Sequence, residues 1–473
     1  MLFQDLGQRR VEADFSGGHL SSDGGALLLG QIDRGLGVSR LLAACFEDRR
    51  DPELVEHSIE ELVRQRVTAM ALGYEDLNDH ADLRRDPLLA AVVGKSDVLG
   101  QERRMPKDRG AACASPATLN RLELGAEFSD RYRKLKADPQ RVEAALLEAG
   151  VRCLPKNQEV FVLDFDPTDM PLHGQQEGRF FHGYYGNYCY LPLYCFCGPV
   201  VLWAQLRPSG IDASEGTVEA LVKIVAAIRR RFPKAKIVVR GDSAFAREEI
   251  MAWCESQREV YYLIGIARNA RIEALMGRAL MWARARWCLA GAACREFVDT
   301  SYRTLEGWSR ERRLLGKAEV LADGKSNPRA VLTNIPAEGV RGSGGQMLVE
   351  GAARGLYEKD YCGRGQAENM IKQMTLDLDA DRVSCHWMAA NQMRLWFSAF
   401  AYLLMERLRS IGLCGGEMAK ASLGCVRLRL LKVAAAVKVS VRRVHVALCS
   451  AFPLQDVWRL AQQRLARLQE APA

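Results

Sequence analysis

The sequence predicts an α/β protein: a mixed sheet with flanking helices. Three observations lead there. Residues 159–266 alternate short apolar strands with amphipathic helices. Three strand-like runs precede the first of those helices, which argues against a simple doubly wound fold. Before residue 150 and after residue 355 the apolar residues recur at helical spacing instead.

Taken in order, residues 1–150 read as a helical N-terminal domain. Asp51–Tyr74 sets apolar residues at helical spacing between charges, and Ser115-Pro116 supplies an N-cap followed by proline at the first helical position. Gln101–Gly110 is basic and loop-like. An ordinary bundle and a DNA-touching domain both fit.

Residues 151–270 hold the first part of the core. Glu159–Asp166 alternates as a strand, and two more strands meet through Gly198-Pro199. A helix over Ala213–Phe232, the strand Lys236–Asp242, a helix over Arg247–Gln257 and the strand Val260–Ile266 follow. Residues 271–350 read as a β-rich insertion. Residues 351–412 return to helix and the remainder of the core. Residues 413–473 form a basic C-terminal region, with a strand or a hairpin broken at Arg442-Arg443 and a last helix over Leu454–Leu468.

Composition narrows the class. The chain has 473 residues, 48% hydrophobic and 26% charged, which excludes a disordered protein. Its longest apolar run, Leu395–Met405, is too short for a bilayer, so no membrane partner is expected. The N-terminal stretch lacks the apolar segment of a secretory signal, and the expected compartment is the cytoplasm. Fourteen cysteines without any Cys-x-x-Cys read as core thiols. From Lys420 to Arg467 ten cations face Asp456 alone, more than the chain's net +8. A basic tail of that kind fits a phosphate backbone or a solvated face.

The stretch Lys236–Phe245 raises the central question: an apolar strand ends on Arg240-Gly241-Asp242. Gly-Asp-Ser is ordinary turn chemistry. It is also how a core strand would deliver a catalytic acid. Asp164 and Asp166 lie two apart on an earlier strand, hence on one face, where two acids repel unless something balances them. Tyr361, Arg364, Glu368 and Lys372 are spaced three, four and four, within about 60° on a regular helix. That stripe is either a paired surface face or a polar working face. Two strand acids and one helix acid can hold a pair of divalent metals for phosphodiester chemistry.

Beyond pattern, the chain resembles a bacterial DDE-type insertion-sequence transposase of the insertion sequence 1380 family. The resemblance is carried by Leu163–Phe196, by Val238–Glu255 and by Tyr361–Gln373, with support from Ser301–Arg313 and Asn391–Tyr402. It implies a ribonuclease-H-like catalytic core whose second acid and Glu are separated by a β-rich insertion. It implies the triad Asp166, Asp242 and Glu368, with Asp164 as the alternative first acid and metal ligand, since Pro167 stands where a small residue is expected. It implies two Mg²⁺ ions, with Mn²⁺ able to substitute. Tyr361, Arg364 and Glu368 match a Tyr-x2-Arg-x3-Glu-x6-Lys pattern whose lysine position is Thr375 here, and Lys372 is the stand-in.

Other residues are read as contacts to double-stranded DNA, at element ends and target: Arg240, Arg179, His182, Arg442 and Arg443, with Trp308 stacking on an unpaired base or simply packing. The expected activity is cleavage at terminal inverted repeats and joining of 3′-OH ends to target DNA. The expected assembly is a homodimer in a synaptic complex, in a bacterial, nucleoid-associated setting. Two other readings share the residues: a metal-dependent nuclease without strand transfer, and a catalytically silent DNA-binding derivative.

Overall fold

A computed structural model describes residues 1–126 and 134–470. The chain divides into two compact units. The first comprises residues 1–149, 373–382 and 389–473, and the second comprises residues 150–372 and 383–388.

The second unit is built on an eight-stranded mixed sheet. Its strands are β1 (Val160–Pro167), β2 (Leu193–Cys197), β3 (Val200–Gln205), β4 (Lys236–Gly241), β5 (Val260–Ile266), β6 (Cys294–Tyr302), β7 (Arg312–Val320) and β8 (Arg329–Thr333). Their spatial order is β6-β7-β8-β5-β4-β1-β2-β3. Only β4 runs parallel to both its neighbours, β1 and β5. The other pairings are antiparallel. The tight β2–β3 turn uses Gly198 at φ +57°, a conformation glycine adopts without strain.

Helices α1 (Thr217–Arg231) and α2 (Glu248–Ser256) complete the parallel crossovers. Parity along the strands separates the faces. Phe161 packs its ring on Phe232 at the end of α1, with centroids 4.7 Å apart. Val160 and Val162 face the opposite way, against a core of Val238, Leu263, Leu315, Val331, Leu356 and Tyr357. Asp164 and Asp166 continue that second face toward the end of β1, so apolar packing hands over to carboxylates along one strand.

The segment 271–350, expected to be strand-rich, opens on a helix, α3 (Ala270–Ala290), capped by the Asn269 side chain accepting from the Ile272 N–H at 3.0 Å. Its apolar residues do not form a stripe: Met281, Trp282 and Leu289 are exposed while Ile272, Met276 and Ala283 are buried. That scatter hides the helix from periodicity. The strands that follow join the main sheet, β8 pairing directly with β5.

In the first unit the Ile59–Ala71 helix starts with a capping box in which Ser58 and Glu61 satisfy each other's backbone N–H groups. Pro116–Glu123 begins after Ser115, with proline at its first position. The C-terminal alternation is a hairpin, Ala435–Ser440 with Arg443–Leu448. Its first strand also pairs with Leu20–Ser21, and Lys432 donates to Asp23 at 2.6 Å. No helix among the described residues is long and apolar enough to cross a membrane.

Candidate active site

The C-terminal ends of β1 and β4 build the site. Parallel pairing sets Arg240 directly beside Asp164 in register. The Arg240 guanidinium grips both Asp164 oxygens, from Nε at 2.6 Å and Nη2 at 2.7 Å. Its Nη1 donates to the Asp360 carbonyl oxygen. Gly363 makes this passage possible, because a side chain there would collide with the Arg240 Nη1. Asp164 is only 2% exposed. Burial raises its pKa, and the Arg240 hydrogen bond and charge oppose that rise.

Asp166 is 9% exposed and has a different environment. Arg364 reaches it at 3.4 Å and reaches Glu368 at 3.1 Å, standing between the two acids. Burial pushes the Asp166 pKa up to about 7. Arg364 opposes the shift, while Asp242, Glu368 and Asp164 add to it. Four carboxyl groups therefore lie within electrostatic reach of one another, although 78 and 202 residues of sequence separate Asp164 and Asp166 from their partners Asp242 and Glu368 respectively on the chain. Burial works against the Arg364 charge, yet Asp166, Tyr361, Glu368 and Asp242 hold its pKa above the ordinary value.

Asp242 has the turn role its sequence offers and also lies near the other acids. It caps the turn Ser243–Phe245, accepting from the Ala244 N–H at 2.8 Å, and it faces the acidic cluster with its second oxygen free of that bond. Opposite it, Tyr361 lies over Gly265 of β5, so close that any side chain at 265 would strike the tyrosine hydroxyl. Tyr361 also packs on Tyr357, with ring centroids 5.6 Å apart.

The Glu-bearing segment is not the regular helix its spacing predicts. Leu356–Tyr361 is a π-helical turn and Cys362–Arg364 a 3₁₀ turn; the α-helix α4 runs only from Gly365 to Leu378. Wide then tight winding changes the angle between Tyr361 and Arg364, and glycines at 363 and 365 weaken a regular path. From Arg364 onward the spacing holds, and Lys372 is exposed on α4.

The remaining expected contacts lie elsewhere. Trp308 is 7% exposed, packed edge-on to Tyr302 and beneath the Arg312 guanidinium, the packing alternative of the sequence reading. Arg179 lies over the Tyr188 ring at 4.3 Å. His182 belongs to the same small sheet, Phe180–His182 with Asn187–Tyr190, whose loop displays Tyr184 at 86% exposure. Arg442 and Arg443 are exposed on the hairpin of the first unit. Cys195 and Cys197 are buried thiols, but Cys288, Cys362, Cys414 and Cys449 are exposed, outside the expected core placement.

Sequence reasoning missed a recess of about 390 Å³ that opens beside Asp242. Lys317, Arg268 and Arg329 line it with Tyr357 and Tyr361. The cations come from segments that are far apart in the chain, and no local spacing signals them.

The donor set suits a hard divalent cation: all-oxygen carboxylates whose mutual repulsion a cation would relieve. As the side chains stand, no group of three or more His, Cys, Asp or Glu among the described residues closes into a metal shell. Arg364 fills the gap between Asp166 and Glu368.

No curated protein matches the chain. Among solved structures, the cryo-EM structure of a piggyBac transposase synaptic complex with hairpin DNA is similar at 11% identity, covering 95% of this chain and 82% of that one, with a TM-score of 0.37. The sequence model of the family described as "Transposase DDE domain group 1" matches residues 3–470. With that match spanning nearly its whole length, the chain belongs to this family and is a DDE transposase.

Proposed function

We propose that the chain is the transposase of a bacterial insertion sequence of the 1380 family. It binds the terminal inverted repeats of its element, cuts phosphodiesters there and joins the 3′-OH ends to target DNA. The observation that carries this reading is the meeting of Asp166, Asp242 and Glu368 around Arg364. Support for a ribonuclease-H-like core comes from acids at the ends of two adjacent parallel strands, faced by a third on a helix.

In this reading Asp166, Asp242 and Glu368 would hold two Mg²⁺ ions, whose chemistry there would be Lewis-acid activation of oxygen. Asp166 is preferred to Asp164 because both Asp164 oxygens are already taken by Arg240. Arg240 accordingly orients the site rather than touching DNA. Arg364, Tyr361 and the exposed Lys372 hold the scissile phosphate. The basic recess beside Asp242 gives the adjoining strand a seat. Arg179, His182 and the exposed Tyr184 loop meet the flanking duplex, and Arg442 and Arg443 meet its backbone. Two ends cut together imply a homodimer.

The test is purified chain with labelled fragments carrying the repeats that flank its own gene, with Mg²⁺ or with EDTA. Metal-dependent nicking at the repeat ends, followed by joining to a target plasmid, is expected. Nicking without joining selects the nuclease reading. Repeat binding with no nicking in Mg²⁺ or Mn²⁺ selects the silent one.

A further inference from the structure

The first unit carries a second polar recess, of about 400 Å³, remote in sequence from Asp164, Asp166, Asp242 and Glu368. Its wall holds five cationic side chains and two acids. The acids are committed: Glu56 is gripped by Arg103 at 3.1 and 3.2 Å, and Asp108 by Arg84 at 2.7 Å. Arg50 is committed as well, to Asp48 at 2.6 Å. Arg121 and Lys134 are left. Both are exposed, and neither makes an ion pair or side-chain hydrogen bond among the described residues.

Two buried nitrogens on the same wall lack a hydrogen bond, one of them a donor in one tautomer of its ring. His57 is 6% exposed, and its Nδ1 is buried without a hydrogen-bond partner among the described residues. The Arg84 Nε is buried and unpartnered in the same sense. A buried polar atom without a partner is unfavourable, and a bound acceptor is one way to satisfy it. Burial first, then nearby Lys95 and Arg103, press the His57 pKa down to about 3, so the ring is neutral and can donate from one nitrogen.

The recess also meets a helix start. Ser115, the N-cap of Pro116–Glu123, makes no side-chain capping bond; its Oγ lies 3.2 Å from the Thr118 Oγ1. Pro116 has no N–H to offer, and the Thr118 and Leu119 N–H groups donate to the Ser115 carbonyl at 3.0 and 3.1 Å, so the helix start adds no more than its dipole. Two cations without a partner among the described residues and two buried nitrogens without a hydrogen bond there suit the same ligand, one with a negative charge and several oxygens. The volume exceeds what a lone oxyanion needs and suits a phosphate carrying a sugar.

We propose that this recess is a phosphate-binding site of the first unit, in which Arg121 and Lys134 supply the charge and His57 and Arg84 the buried donors. The DNA backbone presents that group, and so does a free nucleoside triphosphate. The choice of DNA rests on the transposase reading; the site itself does not.

The experiment uses the full chain without divalent metal, so its outcome is independent of the acidic cluster. Binding of a labelled duplex is followed by fluorescence anisotropy across a salt series. Arg121→Gln and Lys134→Gln should each lower the slope of log affinity against log salt by about 0.9, the signature of one lost phosphate contact. His57→Phe removes a donor but no charge and should weaken binding several-fold with the slope unchanged, which a merely basic surface would not show. In parallel, thermal unfolding is measured with ATP and with inorganic phosphate. Stabilisation of the parent chain but not of Arg121→Gln identifies a free phosphate compound as the ligand. If both glutamine variants and His57→Phe match the parent in DNA binding and in phosphate response, the proposal is overturned.

Discussion

Arg240 holds Asp164 by both carboxylate oxygens while its third nitrogen reaches the Asp360 carbonyl, so one guanidinium ties β1 and β4 to the turn that precedes Glu368. The pair is buried on a single sheet face, and its two members are register neighbours. Removing one member strands the other. Arg240→Met should cost about 3–5 kcal/mol in urea unfolding, and Asp164→Asn combined with Arg240→Met should recover much of that loss. Additive losses in the double variant would rule out the coupling.

The same clamp separates the two acids of β1. Asp166→Asn, Asp242→Asn and Glu368→Gln should each lower cleavage at least about a hundredfold without shifting the melting temperature downward. Asp164→Asn should instead show its main effect as lost stability, with measurable cleavage retained in the folded fraction. Equal loss of cleavage in Asp164→Asn and Asp166→Asn, with both folded, would contradict the assignment.

Gly265 is where β5 lets Tyr361 come close. A Cβ there would also stand 3.2 Å from the Ser243 nitrogen and 3.4 Å from the Asp242 carbonyl carbon. Gly265→Ala should cost about 1–3 kcal/mol through overpacking and should impair cleavage by displacing the tyrosine. Adding Tyr361→Phe removes the colliding hydroxyl and should restore stability. Urea midpoints of the single and double variants decide it.

Two histidines of the first unit make its stability sensitive to acid. Burial is the main cause that presses both His57 and His80 down to about 3, from an ordinary value near 6.5. Between those values the unfolded chain binds the protons and the folded chain does not. Stability is therefore full above about pH 6.5 and falls as pH drops, by up to about 1.4 kcal/mol per pH unit for each ring. His80→Gln should flatten that slope in urea titrations from pH 7 to 4; an unchanged slope would contradict the burial argument.

Trp308 belongs to the fold. Trp308→Phe should leave DNA affinity and cleavage within about twofold and lower stability by about 1–3 kcal/mol, because it trims a packed ring rather than a binding surface. Fluorescence quenching of Trp308 by added DNA would contradict this.

How much of this was legible in the chain depends on range. Val260–Ile266 is readable to the residue because an apolar run is bounded by charge and turn chemistry. The β2–β3 hairpin is readable because Gly198-Pro199 punctuates it. The pattern marks Asp164, Asp166 and Asp242 as candidates, but the choice of Asp166, Asp242 and Glu368 comes from the family resemblance. The different environments of Asp164 and Asp166 could not be read, since the first is set by Arg240, 76 residues away from Asp164. The π-helical turn before Arg364 escapes periodicity, which assumes one winding throughout. The Tyr361–Gly265 approach and the orphaned His57 nitrogen are likewise products of tertiary packing, invisible to spacing.

The pairing of Leu20–Ser21 with Ala435–Ser440 has a consequence for the order in which the molecule is made. On the ribosome, Leu20–Ser21 must wait for a strand synthesised some four hundred codons later, whereas every strand of the eight-stranded sheet has emerged once Thr333 is out and its packing partners Leu356 and Tyr357 follow soon after. The catalytic sheet can therefore mature during elongation, and the unit that closes over both ends of the chain assembles last.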